Sequence, residues 1–416
     1  MYICLNICAS NYINKTSGVK FCYPNRVNEL TVSQTMMVAA KAIKLKSDGV
    51  DIIDLSVGEP DFYTPDNIKK SAKAAIDKNI TRYTLNQGTY DLRNAISKKL
   101  KRENNLDFNV NEIIVSNGAK QSIYNSIIAV VNPGDEVIIP APYWVSYPSM
   151  VQLAGGKVIV IDTDESTGFK VTANQLSKAV TEKTKMLILC NPSNPTGTVY
   201  YKKDLEALAD IVKHNNFYVL ADEIYEKLIY DNSEFISFAS LGTEIKQKTI
   251  LVNGISKSYA MTGWRIGYSA ASEDIALAIN KIQSHTTSSA SSISQYAAIE
   301  AISGPQLIIT EMITEYKKRR DYFYSELTSI SGITCHKPEG AFYLFPNISH
   351  YLNVKSSEIK LTNSLDFSMY LLNEAHVAVV PGSAFGKEGY LRLSYSTNME
   401  NLKEAVSRIK SALKNI

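Results

Sequence analysis

Apolar positions along the chain alternate between two periods. Short buried strand-like runs lie at 112–116, 136–139, 157–161, 186–190, 218–221, 249–252 and 265–269, punctuated by turn residues such as Pro133-Gly134, Pro140-Ala141-Pro142 and Asn232-Ser233. Between them lie helix-length amphipathic stretches at 89–102, 120–131, 203–214 and 273–282. Strands this apolar, separated by helices, predict a mostly parallel sheet covered on both faces, hence an α/β protein. The Ser/Thr-rich tract 284–294 reads as a loop and helix start, because it leads into Tyr296, Ala297 and Ile299. After Gly304-Pro305 the pattern changes. A long polar helix at 307–327 and strands around 341–345, 377–380 and 391–395 predict a smaller α+β lobe.

The 416 residues suffice for two or three lobes. With 45% hydrophobic and 20% charged residues and a formal charge of +3, the chain is neither disordered nor a polyelectrolyte, so no nucleic-acid partner is expected. Five cysteines, scattered and without a C-x-x-C pair, predict reduced thiols in a cytoplasmic protein. The five histidines show no metal-ligand spacing, so no metal site is expected. No apolar run reaches the ~18 residues of a membrane span. Residues 1–9 lack the basic start of a signal peptide, and 1–27 read as an N-terminal extension of unknown role.

Several positions carry candidate chemistry. Lys257, in Ser256-Lys257-Ser258 after the run 249–252, is either a solvated turn lysine or a desolvated amine able to attack a carbonyl. Asp222 ends the apolar run 218–221 where open α/β sheets bind ligands. It is either a helix N-cap or a buried carboxylate facing a cation such as a protonated pyridine nitrogen. The strand-to-helix junction Asn117-Gly118-Ala119, the Ser256 hydroxyl and the Arg265 fork together could form an anion site. No P-loop and no G-x-G-x-x-G string occurs. Asn191 and Asn194 sit in a proline-stiffened turn, Trp144 reads as core or ligand aromatic, and Arg392 faces either solvent or a carboxylate.

Together, Gly58-Glu59-Pro60-Asp61-Phe62, the turn 191–197, Asp222-Glu223-Ile224-Tyr225, Ser256-Lys257-Ser258 with Arg265-Ile266-Gly267, and Arg392-Leu393-Ser394 resemble the class I, fold-type I pyridoxal-phosphate aminotransferases, in particular the bacterial aspartate aminotransferase subgroup. The resemblance implies a large, mostly parallel-sheet α/β domain at 58–304 and a smaller α+β domain formed by 28–57 and 305–416. It also implies that Lys257 forms a Schiff base with pyridoxal 5'-phosphate and moves the substrate proton. Asp222 then pairs with the pyridinium nitrogen, and Tyr225 donates to the phenolic oxygen. Gly118, Ala119, Ser256 and Arg265 hold the phosphate, and Trp144 stacks on the ring. Gly58, Asn194 and Arg392 bind the amino acid, with Arg392 on its α-carboxylate. Tyr83 reaches the neighbour's phosphate in an obligate homodimer.

Substrate choice rests on the distal carboxylate. No arginine occurs between Arg265 and Arg319, and Gly118-Ala119-Lys120-Gln121 is similar to the subgroup in which a lysine reads that group. The implied reaction is ping-pong amino transfer from aspartate to 2-oxoglutarate, with pyridoxamine phosphate as the carrier. The alternatives are a C–S β-lyase on the same cofactor and a broader or aromatic aminotransferase that takes prephenate. Thr31 stands where prephenate-using relatives carry a basic residue, which argues against that activity.

Overall fold

The computed structural model describes residues 24–28, 30, 34–231, 233–353, 360–414 and 416. Most of the expected extension 1–27, and Thr31, lie outside the described residues. Among the described residues twelve strands follow in chain order: β1 Ile53–Asp54, β2 Ile113–Ser116, β3 Glu136–Ala141, β4 Lys157–Asp162, β5 Thr184–Cys190, β6 Tyr218–Asp222, β7 Thr249–Gly254, β8 Gly267–Ala270, β9 Tyr343–Leu344, β10 Val377–Ala378, β11 Val380–Pro381 and β12 Leu391–Ser394.

β2 to β8 form one seven-stranded sheet in the order β2-β8-β7-β6-β5-β3-β4. The pairs from β4 across to β7 are parallel, whereas β8 runs antiparallel to both β7 and β2. The central strands are buried along almost their whole length, as a sheet covered on both faces requires. Helices Ala119–Val130 and Glu273–Thr286 cover one face, and Lys202–Lys213 packs on the other. The chain is thus α/β, with the expected mostly parallel sheet.

Two local expectations are corrected. Arg265 was expected inside a strand, but β8 begins at Gly267. Arg265 instead closes the short turn Thr262–Trp264 with φ +55°, because its guanidinium turns back onto the carbonyls of Thr262 and Asn117. The tract expected to be loop from 284 is helical as far as Thr286, and a helix resumes at Ser292, whose preceding Ser291 side chain accepts from the Ser294 amide.

The C-terminal third carries the 22-residue helix Leu307–Thr328, packed against Met399–Leu413, and the antiparallel sheet β11-β12-β9. The expected strand at 377–380 is two pieces. β10 pairs with β1, β11 pairs with β12, and Val379 is where the chain changes sheet. The β1–β10 ladder therefore ties the segment around residue 53 to the C-terminal part.

Because β2 is antiparallel to β8, and β8 to β7, the carboxyl ends of β2, β5, β6 and β7 lie on one sheet edge. Gly267 pairs with both Ser116 and Gly254, which sets the Asn117–Ala119 turn beside the turn carrying Ser256 and Lys257. Edges of this kind are where open α/β sheets take ligands.

Candidate active site

A cavity of about 700 Å³ opens at that edge, lined by Gly58, Ala119, Lys120, Trp144, Asn194, Asp222, Tyr225, Ser256, Lys257, Arg265 and Arg392. Eleven residues singled out in the sequence thus share one hollow. Gly118 sits just behind its wall, against Arg265. Tyr83 is not in the cavity of its own chain and is 94% exposed.

Lys257 follows β7 in a tight turn, and its Nζ donates to the Gly58 carbonyl at 2.6 Å. Burial is the main reason its amine is drawn down to about 8. Glu59 opposes the shift, Arg392 and Arg265 add to it, and Asp222 opposes it weakly. Lys257 is therefore not a solvated turn lysine.

Asp222 ends β6 and is 4% exposed. Tyr147 donates its hydroxyl to Oδ2 at 2.7 Å, and the Ile224 amide reaches Oδ1 at 3.3 Å. Burial nevertheless pushes the carboxyl up to about 6, with those two bonds and the Lys257 charge pulling the other way. A buried carboxylate that two neutral donors leave incompletely stabilised is suited to a cationic ligand. The alternative of a helix N-cap is not what forms, since a turn rather than a helix follows β6.

The Tyr225 hydroxyl is 2.8 Å from that of Tyr343, with the rings edge to face at 5.9 Å. Burial raises the Tyr225 phenol well above its ordinary value, which keeps it a proton donor. Trp144 stands edge to face with Tyr147 at 5.3 Å, which sets its ring on the wall next to Asp222.

The anion cup has a geometry only glycine allows. Gly118 has φ +82°, and a Cβ there would lie 2.3 Å from Arg265 Nη2. One at Gly267 would lie 2.1 Å from the Ala119 amide nitrogen. Ala119 at the start of helix Ala119–Val130, Ser256 and Arg265 all line the cavity, and helix-start amides, a hydroxyl and a guanidinium are groups that could hold a phosphate.

Arg392, on β12, is 6% exposed, so its face is the interior one. Its Nη1 donates to Asn194 Oδ1 at 3.1 Å and its Nη2 to the Ser56 carbonyl at 2.6 Å, while the guanidinium lies over the Tyr343 ring at 4.5 Å. Its Nε is buried and has no partner. The Arg392 guanidinium as a whole lines the cavity, where it could take a carboxylate. Lys120, on the first turn of Ala119–Val130, holds its amine 4.9 Å over the Trp144 ring, and burial, then the Arg265 charge, lower its pKa.

Sequence reasoning missed Tyr147 and Tyr343. They meet Asp222 and Tyr225 across 75 and 118 positions of chain, and nothing in their local pattern marks them. The hollow also has an apolar rim, Met36, Ala39 and Ile43 of helix Gln34–Ser47. Among the described residues no three His, Cys, Asp or Glu side chains group as metal ligands, and no helix is long and apolar enough to cross a membrane.

Residues 50–409 match the family model for aminotransferase class I and II. The chain is 45% identical over 390 residues to an aspartate aminotransferase of a Bacillus species, covering 94% of this chain and 98% of that protein. It is 46% identical over 391 residues to an aspartate/prephenate aminotransferase of Nitrosomonas europaea, covering 93% and 98%. Among solved structures, the aspartate aminotransferase of Rhizobium meliloti superposes with a TM-score of 0.92 at 42% identity, covering 95% of this chain and all 100% of that one. That of Thermus thermophilus with maleate gives 0.89 at 38% identity, covering 94% and 100%. With its sheet, cavity and sequence all in agreement, this chain belongs to the class I and II aminotransferases.

Proposed function

We propose that the chain is an aspartate-type aminotransferase that uses pyridoxal 5'-phosphate and works as a homodimer in the cytoplasm, passing the amino group to a 2-oxo acid such as 2-oxoglutarate. The observation that carries the reading is the pairing of a buried amine, Lys257, and a buried carboxylate, Asp222, on one cavity that also holds the Gly118–Arg265 cup. When bound, the cofactor supplies a carbonyl for covalent capture of nitrogen and a ring that accepts the electrons of the broken Cα–H bond.

This chain's residues do the rest. Lys257 holds the cofactor and, once free, takes the proton from the substrate Cα, a task suited to an amine drawn down toward neutral pH. Asp222, held by Tyr147, keeps a proton on the ring nitrogen, and Tyr225 donates to the phenolic oxygen. Gly118, Ala119, Ser256 and Arg265 grip the phosphate, Trp144 covers the ring face, and Arg392 with Asn194 and Gly58 orients the α-carboxylate. Tyr83, exposed on its own chain, serves the phosphate of the neighbouring subunit. We assign 58–304 to the large domain and 28–57 with 305–416 to the small one, a division supported by the β1–β10 ladder.

The dicarboxylate preference rests on two cations in one hollow, Arg392 and Lys120, and a relative solved with maleate, itself a dicarboxylate, supports it. The test is a panel of amino donors against 2-oxoglutarate and oxaloacetate with wild type and Lys120→Ala. Aspartate should lose about 10-fold to 100-fold in kcat/KM, while alanine and phenylalanine change little. An equal loss for all three donors would remove Lys120 from the distal site. Prephenate belongs in the same panel, because the Nitrosomonas europaea relative carries that substrate in its name.

A further inference from the structure

Among the described residues, the two least exposed side-chain amides are Gln283 and Gln295, each 0% exposed, and neither lines the cavity. Gln283 Nε2 donates to the carbonyls of Asn86 at 2.6 Å and Val115 at 2.8 Å. Its Oε1 accepts from Ser116 Oγ at 3.0 Å and Asn125 Nδ2 at 3.3 Å. Both donors and both acceptor positions of the amide are used, and since carbonyls only accept, its orientation is fixed.

These four bonds add to the direct bond from the Val115 amide to the Gln87 carbonyl at 3.0 Å and join the end of β2 to the loop before helix Tyr90–Asn104. Val115 and Ser116 end β2 directly before the cup, and the Ser116 carbonyl accepts the Gly118 amide at 2.8 Å. From there Asn117 donates to Gln121, Gln121 to Thr287, and the Thr287 amide back to the Gln283 carbonyl, which closes a ring of bonds around the cup's base. Asn86, on the other side, belongs to the loop 81–88 that carries Tyr83. Gln295 holds the same loop by donating to Thr84 Oγ1 at 3.0 Å and accepting from the Thr89 amide at 2.8 Å. The loop's inner side is thus pinned by buried amides, while Tyr83 at 94% and Leu85 at 62% stand exposed. Both side chains are thus open to another surface.

We propose that Gln283 is a positioning residue for phosphate in two active sites at once: through Ser116 it sets the cup of its own chain, and through Asn86 it sets the loop that presents Tyr83 to the partner's cup. The trans half rests on the reading above that Tyr83 serves the neighbouring subunit. Gln295 touches the loop and not the cup, so its effect is confined to the partner's site.

The experiment uses hybrid dimers in which only one subunit can show the visible band of cofactor held at Lys257. The first subunit carries Lys257→Ala together with Gln283→Met, Gln295→Met or Tyr83→Phe, and the second is wild type. Retention of pyridoxal phosphate at the wild-type subunit's site is measured by titration and by loss of the band on dialysis. Pyridoxal without the phosphate is the control ligand. Gln283→Met and Gln295→Met should each weaken pyridoxal phosphate about tenfold in trans and leave pyridoxal unchanged. In the homodimer, Gln283→Met should weaken it further than Gln295→Met. If Tyr83→Phe weakens retention in trans and Gln283→Met does not, the proposal is overturned while the Tyr83 reading stands. If neither does, the Tyr83 reading has failed and takes the trans half with it. Equal weakening of pyridoxal would show a general loss of fold and also overturn the proposal. Should Gln283→Met fail to assemble, Gln283→Asn keeps the amide, shortens its reach and is read in the same way.

Discussion

Asp222 holds the sharpest conflict between folding and function in the chain. Burial raises its carboxyl from 3.8 to about 6, against the pull of Tyr147, Ile224 and Lys257. A carboxyl raised in the folded state favours folding below its unfolded pKa, and that advantage is lost as pH rises through about 6. At pH 8 the cofactor-free protein therefore carries an uncompensated buried charge, costing up to about 3 kcal/mol. Asp222→Asn should melt higher than wild type at pH 8 when free of cofactor, with the gap narrowing to about half at pH 5, although its transaminase activity should collapse. Thermal scans of both proteins at the two pH values check this, and a gap that does not change with pH would contradict it. On the proposed reading the ring nitrogen of the cofactor would supply the missing cation, so loading should stabilise wild type far more than Asp222→Asn. The chemistry at this residue was legible because an acid after an apolar strand is visible in one line of text. Tyr147 was not, since a tyrosine beside Trp144 looks like any core aromatic until folding brings it to Asp222.

At the level of elements, the register of β8 decides the geometry of the cup. Gly267 lies between Ser116 and Gly254, with room for no Cβ against the Ala119 amide. Gly267→Ala must push β8 away from the start of helix Ala119–Val130. We expect a loss of about 3 kcal/mol in urea unfolding and a clear fall in phosphate retention. A neutral result would mean that the junction is looser than its contacts imply. Most strands of the large sheet were readable because they carry apolar, often β-branched runs; β2, β3, β5 and β7 are buried almost throughout, whereas β4 is partly exposed and β8, Gly-Tyr-Ser-Ala, has no β-branched residue. Two things were not. The reversed direction of β8 leaves no mark on its own composition, and Arg265 extends an apolar run in sequence while its backbone turns left-handed. In the C-terminal part the strands are two residues long except for β12, too short for an alternation to show.

Over the whole molecule, the segment Gly58–Phe62 links the two ends of the chain through the site. Asp61 takes a two-pronged bond from Arg319 Nη1 at 2.8 and 2.9 Å, its amide donates to Ser396, and the Gly58 carbonyl receives Lys257. Phe62 packs edge to face on Tyr316 at 5.3 Å, under the Arg319 guanidinium. Arg319→Met keeps much of the packing and removes the anchor. On the proposed reading, in which Gly58, Asn194 and Arg392 orient the α-carboxylate, it should raise the KM for aspartate about tenfold with a smaller change in kcat, because Gly58 loses its anchor while the strands that set Asp222 and Arg392 stay in place. A fall in kcat alone, at unchanged KM, would count against this role. The Arg319–Asp61 tether spans 258 positions and becomes visible only in three dimensions.

The antiparallel course of β8 has a genealogical consequence. Since the chain leaves β7 and enters β8 at the same edge, the amine at 257 and the guanidinium at 265 are delivered by one short excursion that never crosses the sheet. A gain or loss of a single residue inside that excursion would misalign both groups together, so descendants of this sequence should vary its letters far more freely than its length.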